Sequence, residues 1–245
     1  MQISRSDLEA YRSTLIDLGA TAASEVNDAI EGQSGTVASM REYAIDAIVD
    51  SLNLYGEAAQ ALAAQLFDEI CAAEGIDAEA EIFDGIIDQE MMARKINYFS
   101  RKLVERDTAG FALDCGTLAD FYVKRSAYEN TLRNCYGHHV RYARVPTGPT
   151  TCDWCTMLAS RGFVYYTSDT AYEGSHLHCD CVVVPGGPET TVDGYDPDAY
   201  YKAWRESGFM PPKHNLKGRM IENNLAGREP DWEYIRKYER RKGRR

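Results

Sequence analysis

The chain has 245 residues, of which 44% are hydrophobic, and a formal net charge of −11. Its length suits one or two domains, and no stretch has the roughly 18 consecutive apolar residues that a membrane-spanning helix requires. The N-terminus lacks the basic start, apolar middle and small-residue cleavage site of a secretory signal, so we expect a soluble protein that is made in the cytoplasm.

The charge is distributed unevenly along the chain. Residues 1–90 contain 3 basic and 19 acidic residues, whereas residues 91–245 contain 24 basic and 19 acidic residues. An acidic surface repels nucleic acid and anionic lipid, and a basic surface tolerates both. We therefore expect the two parts of the chain to face different partners.

Hydrophobic periodicity predicts helices over most of the first 136 residues. In residues 6–30 apolar side chains recur at helical spacing, and Ser6 with Glu9 has the sequence of a capping box. Further helices are predicted at residues 36–54, 57–73, 86–108 and 116–136. The N-terminal part is therefore predicted to be mainly α-helical.

The pattern changes at residues 145–151, where two prolines and a glycine prevent a helix from continuing. A short helix is predicted at residues 155–160. The β-branched and aromatic residues of 163–166 and 181–184 predict two strands, which together indicate a small hairpin-like unit. The turn residues 185–188 close this unit.

The last part of the chain is predicted to be an extended arm. A short helix at residues 199–206 interrupts it, and residues 236–245 form a basic run without an apolar face. The prediction is thus an α+β protein with three parts: an acidic helical domain (1–136), a small α+β module (137–187), for which a stabilising metal is considered below, and an extended C-terminal arm with a basic tail (188–245).

The seven cysteines favour metal binding over a disulfide framework. Their number is odd, and four of them lie between residues 152 and 181, which is typical of a metal site in a reducing compartment. The other three, Cys71, Cys115 and Cys135, lie in apolar or helical contexts. We interpret these three as buried core residues.

The clustered cysteines predict one structural zinc site. Cys152-Asp153-Trp154-Cys155 is a C-x-x-C knuckle, whose turn points two thiolates at one ion, and residues 176–181 offer further sulfur and imidazole ligands, a mixture that zinc prefers. The preferred ligands are Cys152, Cys155, His176 and Cys179. Cys181 is the strongest competitor and His178 the weakest. A site closed by protein ligands would contribute folding energy rather than catalysis.

The residues around this site resemble the phage Mu F-like minor head proteins, especially those encoded beside the portal gene in phages of actinobacteria. The resemblance lies in residues 144–155, 158–162, Tyr165, Tyr166 and 176–181, and it covers about residues 120–186. Leu177 stands where the family's usual pattern has a proline.

This resemblance implies a structural, non-enzymatic head protein that is present in a few copies inside the procapsid. Such a protein contacts the portal and the major capsid or scaffold protein, and it assists head assembly and DNA packaging or ejection. The implied location is the virion, after assembly in the host cytoplasm. A basic tail at residues 236–245 could also lie against packaged DNA.

Two hydrolases remain as alternatives. A capsid maturation protease would need a nucleophile, and the sequence has no G-x-S-x-G elbow, although a triad can assemble from distant residues. An HNH-like nuclease would use cysteine-bound zinc as a frame and histidines such as His178 and His214 to hold a hydrolytic metal. A zinc deaminase is disfavoured because its His-x-Glu motif is missing.

Overall fold

The computed structural model describes residues 2–84, 87–166 and 181–209. The helices are α1 (Arg5–Glu31), α2 (Val37–Ser51), α3 (Glu57–Glu74), α4 (Gln89–Phe99), α5 (Arg101–Val104), α6 (Thr108–Gly137), α7 (Asp153–Ala159) and α8 (Pro197–Ser207). A π-helical segment, Leu52–Gly56, joins α2 to α3. The strands are β1 (Gln2–Ile3), β2 (Arg141–Pro146), β3 (Cys181–Gly186) and β4 (Thr191–Val192). The predicted α+β class is confirmed.

Most of the predicted N-terminal helices are confirmed, with corrections at their ends, but the single helix predicted at residues 86–108 is divided into α4 and the four-residue α5. The capping role of Ser6 is wrong, because α1 begins at Arg5 and the Glu9 carboxylate accepts a 2.8 Å hydrogen bond from the Arg5 side chain instead. Helix α6 begins eight residues before its predicted start at 116. Asp107 Oδ1 accepts a 2.8 Å hydrogen bond from the Gly110 N–H, which is how an N-cap residue starts a helix.

The predicted hairpin-like unit is wrong in its strand partners. β3 pairs antiparallel with β2, a strand that the sequence did not predict, and Arg144 lies opposite Val183 in the register. Residues 163–166 contribute only an isolated bridge between Tyr165 and Tyr142. Both strands are buried along almost their whole length, so they lack the apolar-polar alternation that reveals a half-exposed strand.

The chain divides into two compact units. Among the described residues, the helical unit comprises residues 10–65, 81–84 and 87–130, and the mixed unit comprises residues 2–9, 66–80, 131–166 and 181–209. In the mixed unit β1 pairs parallel with β4, β2 pairs with β3, and α7 packs against both β2 and α8. No helix among the described residues is long and apolar enough to cross a membrane.

Within the helical unit α1 and α6 approach each other closely at Gly116. A Cβ atom at this position would lie 2.5 Å from the carbonyl oxygen of Ala23, which is backbone and cannot move aside cheaply. The surrounding core is apolar and includes Val26, Phe111 and Cys115, all buried. Only glycine therefore permits this helix contact.

We predict that Gly116→Ala destabilises the protein by about 1–3 kcal/mol, because the added methyl group must push α1 and α6 apart. The measurement is the free energy of unfolding from urea denaturation. Gly137→Ala is the matched control, since a Cβ atom there meets nothing within 4 Å, and it should leave stability unchanged or slightly higher. Equal losses in both variants would contradict the close helix contact.

Candidate metal centre

The register of β2 and β3 places Arg144 and Cys181 on one face of the two-stranded ribbon. Arg144 is opposite Val183, and Cys181 precedes Val183 by two residues, so the two side chains are diagonal neighbours on the same face. The Arg144 guanidinium donates from Nε at 3.2 Å and from Nη2 at 2.7 Å to Cys181 Sγ. Arg144 is only 2% exposed.

Helix α7 brings a second thiol to the same place. Cys152 is the N-cap of α7, and its Sγ accepts a hydrogen bond from the Cys155 N–H at 3.4 Å. One turn into the helix, Cys155 Sγ lies 3.2 Å from Cys181 Sγ. Cys155 and Cys181 are buried, whereas Cys152 is half-buried. The turn at residues 147–152 thus places the start of α7 next to Cys181, the first residue of β3.

The position of α7 is held by hydrogen bonds at its other end. Tyr165 is fully buried, and its hydroxyl donates to the carbonyl oxygen of Leu158 at 2.7 Å. Burial raises the pKa of Tyr165 well above its ordinary value, so this hydroxyl keeps its proton and remains a donor. The Tyr195 hydroxyl donates to the carbonyl oxygen of Ala159 in the same way.

The structure brings together two of the predicted zinc ligands, Cys155 and Cys181, and places Cys152 one helical turn from Cys155. The other candidates, His176, His178 and Cys179, lie outside the described residues. Over residues 2–84, 87–166 and 181–209, no group of three or more histidine, cysteine, aspartate or glutamate side chains is arranged to hold a metal ion.

Among the described residues, two sulfur donors of the kind that zinc binds lie close together. A tetrahedral zinc ion with bonds of about 2.3 Å to sulfur holds two ligand sulfurs roughly 3.8 Å apart. The sulfur atoms of Cys155 and Cys181 lie 3.2 Å apart, so they would need to separate by about 0.6 Å to bind one zinc ion. Zinc-bound thiolates also accept N–H hydrogen bonds from their surroundings, as Cys152 and Cys181 do here.

Sequence analysis missed Arg144 as a residue of this site. An arginine in a six-residue stretch with a second arginine and a proline gives no signal of burial. The role of Arg144 can be recognised only when the strand register is known, because the pairing of β2 with β3 places its guanidinium beside Cys181.

The helical unit contains a separate open cavity of about 540 Å³. Its walls include the exposed apolar side chains of Leu54 and Ile82 and the carboxylates of Glu57 and Asp84. Gln60 also lines it and is 8% exposed, and its Oε1 accepts no hydrogen bond from the part of the chain that the structure describes. The cavity would suit an apolar group that carries a hydrogen-bond donor.

The fold and the site define an α+β chain with a buried, hydrogen-bonded thiol pair. A family model described as VG15 protein matches residues 2–207, which is most of the chain. The chain therefore belongs to the VG15 protein family, a family of viral gene proteins, and this membership supports a bacteriophage origin. No curated protein and no solved structure matches the chain.

We predict that Tyr165→Phe destabilises the protein by about 1–2 kcal/mol, because the carbonyl of Leu158 loses its buried donor. Urea denaturation measures the effect. Tyr201→Phe, at a half-exposed position on α8, removes the same atom and should be neutral. If Tyr165→Phe were as stable as Tyr201→Phe, the hydroxyl would not hold α7 in place.

Proposed function

We propose that this protein is a structural, non-enzymatic minor head protein of a tailed bacteriophage, whose α+β module is stabilised by a zinc ion. Family membership supports the phage origin. The observation that supports the structural role is the burial of the two cysteines that lie side by side at the candidate metal centre, where Cys155 is 0% and Cys181 is 3% exposed. Sulfur atoms so deeply buried suit a site that holds chain segments together, because no substrate can reach them.

The proposed zinc ion would be held by Cys152 and Cys155 with two of the ligands from His176, Cys179 and Cys181. When bound, it would supply a covalent-like link between the start of α7 and the segment that leads into β3. Two-stranded sheets are marginally stable by themselves, so such a link would stabilise the β2–β3 ribbon directly. This is the usual function of zinc in small modules with little core.

The proposed partners are the portal protein and the major capsid or scaffold protein, during procapsid assembly and during DNA packaging or ejection. The proposed location is the phage head, after assembly in the host cytoplasm. The resemblance of residues 144–155 and 176–181 to Mu F-like minor head proteins supports this assignment, which is finer than the family match. The tail at 236–245 lies outside the described residues, and its basic sequence supports contact with packaged DNA.

A phage hydrolase, either a capsid maturation protease or an HNH-like nuclease, is the second candidate. The burial of Cys155 and Cys181 disfavours either thiol as an exposed nucleophile. His178 and His214, which a nuclease would use, lie outside the described residues.

We expect purified protein to contain one zinc ion per chain, measured by elemental mass spectrometry. Cys152→Ser should lose the zinc and the cooperative unfolding transition of the α+β module, because one ligand of the closed site is gone. Cys115→Ser, which changes a buried cysteine of the helical core, is the control and should retain zinc. Metal-free wild-type protein that unfolds at the same urea concentration and as cooperatively as zinc-loaded protein would refute the structural role of the metal.

We expect the protein to be present in purified procapsids and mature virions of its phage and to sediment with isolated portal rings. Quantitative mass spectrometry of the particles measures its copy number, and the major capsid protein provides the reference. An enzymatic activity of the purified protein would contradict the structural assignment. Purified protein that cleaves a capsid or scaffold substrate, or plasmid DNA with added magnesium or manganese, and loses this activity on a single serine or histidine substitution, would replace the structural assignment.

A further inference from the structure

The open cavity of the helical unit has a buried floor and an exposed rim. Its volume of about 540 Å³ falls in the range of natural ligand-binding pockets, roughly 300–1,000 Å³. The floor includes the buried residues Gln60, Met92 and Ser126, which lie on α3, α4 and α6. The rim includes the exposed residues Leu54, Glu57, Ile82 and Asp84.

The floor presents an unpaired hydrogen-bond acceptor. Gln60 is 8% exposed, and its Oε1 has no hydrogen-bond donor among the described residues. A buried acceptor without a donor destabilises a folded protein, so such groups are rare unless a ligand or water pairs with them. The terminal torsion of a glutamine side chain is broad, so Oε1 can turn to a donor that enters the cavity. The floor therefore indicates an occupant that carries an N–H or O–H group.

The donor that meets the floor is expected to be uncharged. The carboxylates that line the cavity, from Glu57 and Asp84, are at exposed positions. Ser126 Oγ already donates its proton to the carbonyl oxygen of Tyr122 at 3.0 Å. A cation on the floor would thus be buried without a carboxylate beside it, which is costly. An uncharged donor, such as an indole N–H, can pair with Gln60 without that cost.

The rim combines apolar side chains with negative charge. Leu54, on the π-helical segment, is 62% exposed and Ile82 is 56% exposed, and exposed apolar side chains around a concave surface mark interaction sites. The described lining residues include the carboxylates Glu57 and Asp84 and no lysine or arginine. The described part of the helical unit has 9 basic and 17 acidic residues. The rim therefore favours an occupant with apolar surface and positive charge.

We propose that the cavity binds a peptide segment of a partner protein, which inserts a tryptophan side chain toward Gln60 and places lysine or arginine beside Glu57 and Asp84. Tryptophan has a large apolar body and an N–H donor without an acceptor, which is the combination that suits the floor. A peptide also covers Leu54 and Ile82, which a small molecule inside the cavity leaves exposed. Tryptophan and arginine are among the residues most enriched in the energetically dominant contacts of protein interfaces. The inference goes beyond the proposed function, since it uses the helical unit alone.

Selection from a random peptide library by the full-length protein tests the proposal. We expect the selected peptides to contain tryptophan within a few residues of lysine or arginine. Selection of acidic peptides, of peptides without an aromatic residue, or of none above background would overturn the proposal. A selected peptide then serves as the probe for variants of the protein.

The hydrogen bond to Gln60 is tested with two versions of the selected peptide, one with tryptophan and one with benzothienylalanine, in which sulfur replaces the indole N–H. The wild-type protein should bind the tryptophan peptide about 3- to 10-fold more tightly, as a single uncharged hydrogen bond allows. Gln60→Leu should bind both peptides with equal affinity. It should also unfold at the same or a higher urea concentration, because a buried unpaired oxygen is gone. Equal affinities of the wild-type protein for the two peptides would overturn the assignment of the peptide donor to Gln60.

The rim is tested with a charge variant and an apolar variant at exposed positions. Glu57→Lys and Leu54→Ser should each weaken peptide binding by about 3- to 10-fold, because the first repels the basic residues and the second removes apolar contact. Binding by Glu57→Lys should also depend less on salt concentration. Glu31→Lys and Val104→Ser are the matched controls, exposed in the same unit and outside the described cavity lining, and should keep wild-type affinity. Equal weakening by the controls, or none by the rim variants, would contradict binding at the cavity.

A second copy of this chain is the competing occupant, and sedimentation velocity distinguishes it from a partner peptide. We expect the wild-type protein and Leu54→Ser to sediment identically at every protein concentration. Self-association of the wild-type protein that is lost in Leu54→Ser would place a second copy on the rim and overturn the assignment to a partner protein.

Discussion

The antiparallel pairing of β2 with β3 is the constraint on which the candidate metal centre depends. This pairing sets Arg144 opposite Val183 and so places its guanidinium diagonally across from Cys181. A slip of one residue would turn every side chain of one strand to the other face and separate the charge from the sulfur. Helix α7 then adds Cys155 from the other side, since it packs against β2 and starts at the Cys152 N-cap.

The sequence predicted the parts of this arrangement that depend on local pattern. The helices of the N-terminal part follow from apolar spacing, and the C-x-x-C knuckle identifies Cys152 and Cys155 before any fold is known. The sequence did not predict β2, because a strand buried on both faces and interrupted by two arginines has no period of two. Arg144 was therefore missed, since its role depends on a partner 37 residues away in the chain.

Three other cysteines show how burial in the core changes the pKa of a thiol. Cys71 and Cys115 are fully buried, and desolvation raises the pKa of each to about 12, with a nearby aspartate adding to the effect. Burial also raises the pKa of the Cys135 thiol well above its ordinary value. The sequence predicted Cys71, Cys115 and Cys135 as core residues, and their burial confirms this prediction. Cys181 is also buried, but its sulfur accepts a hydrogen bond from the Arg144 guanidinium. Its surroundings are therefore polar.

The mixed unit also explains why a metal would be placed here rather than elsewhere. In the part of the chain that the structure describes, its sheets are two-stranded. Its helices α7 and α8 are 7 and 11 residues long, and helices this short are marginal without tertiary support. Buried hydrogen bonds from Tyr165 and Tyr195 hold one end of α7, while the other end carries the two cysteines of the knuckle. A link between that end and β3 would complete the attachment of α7 on both sides.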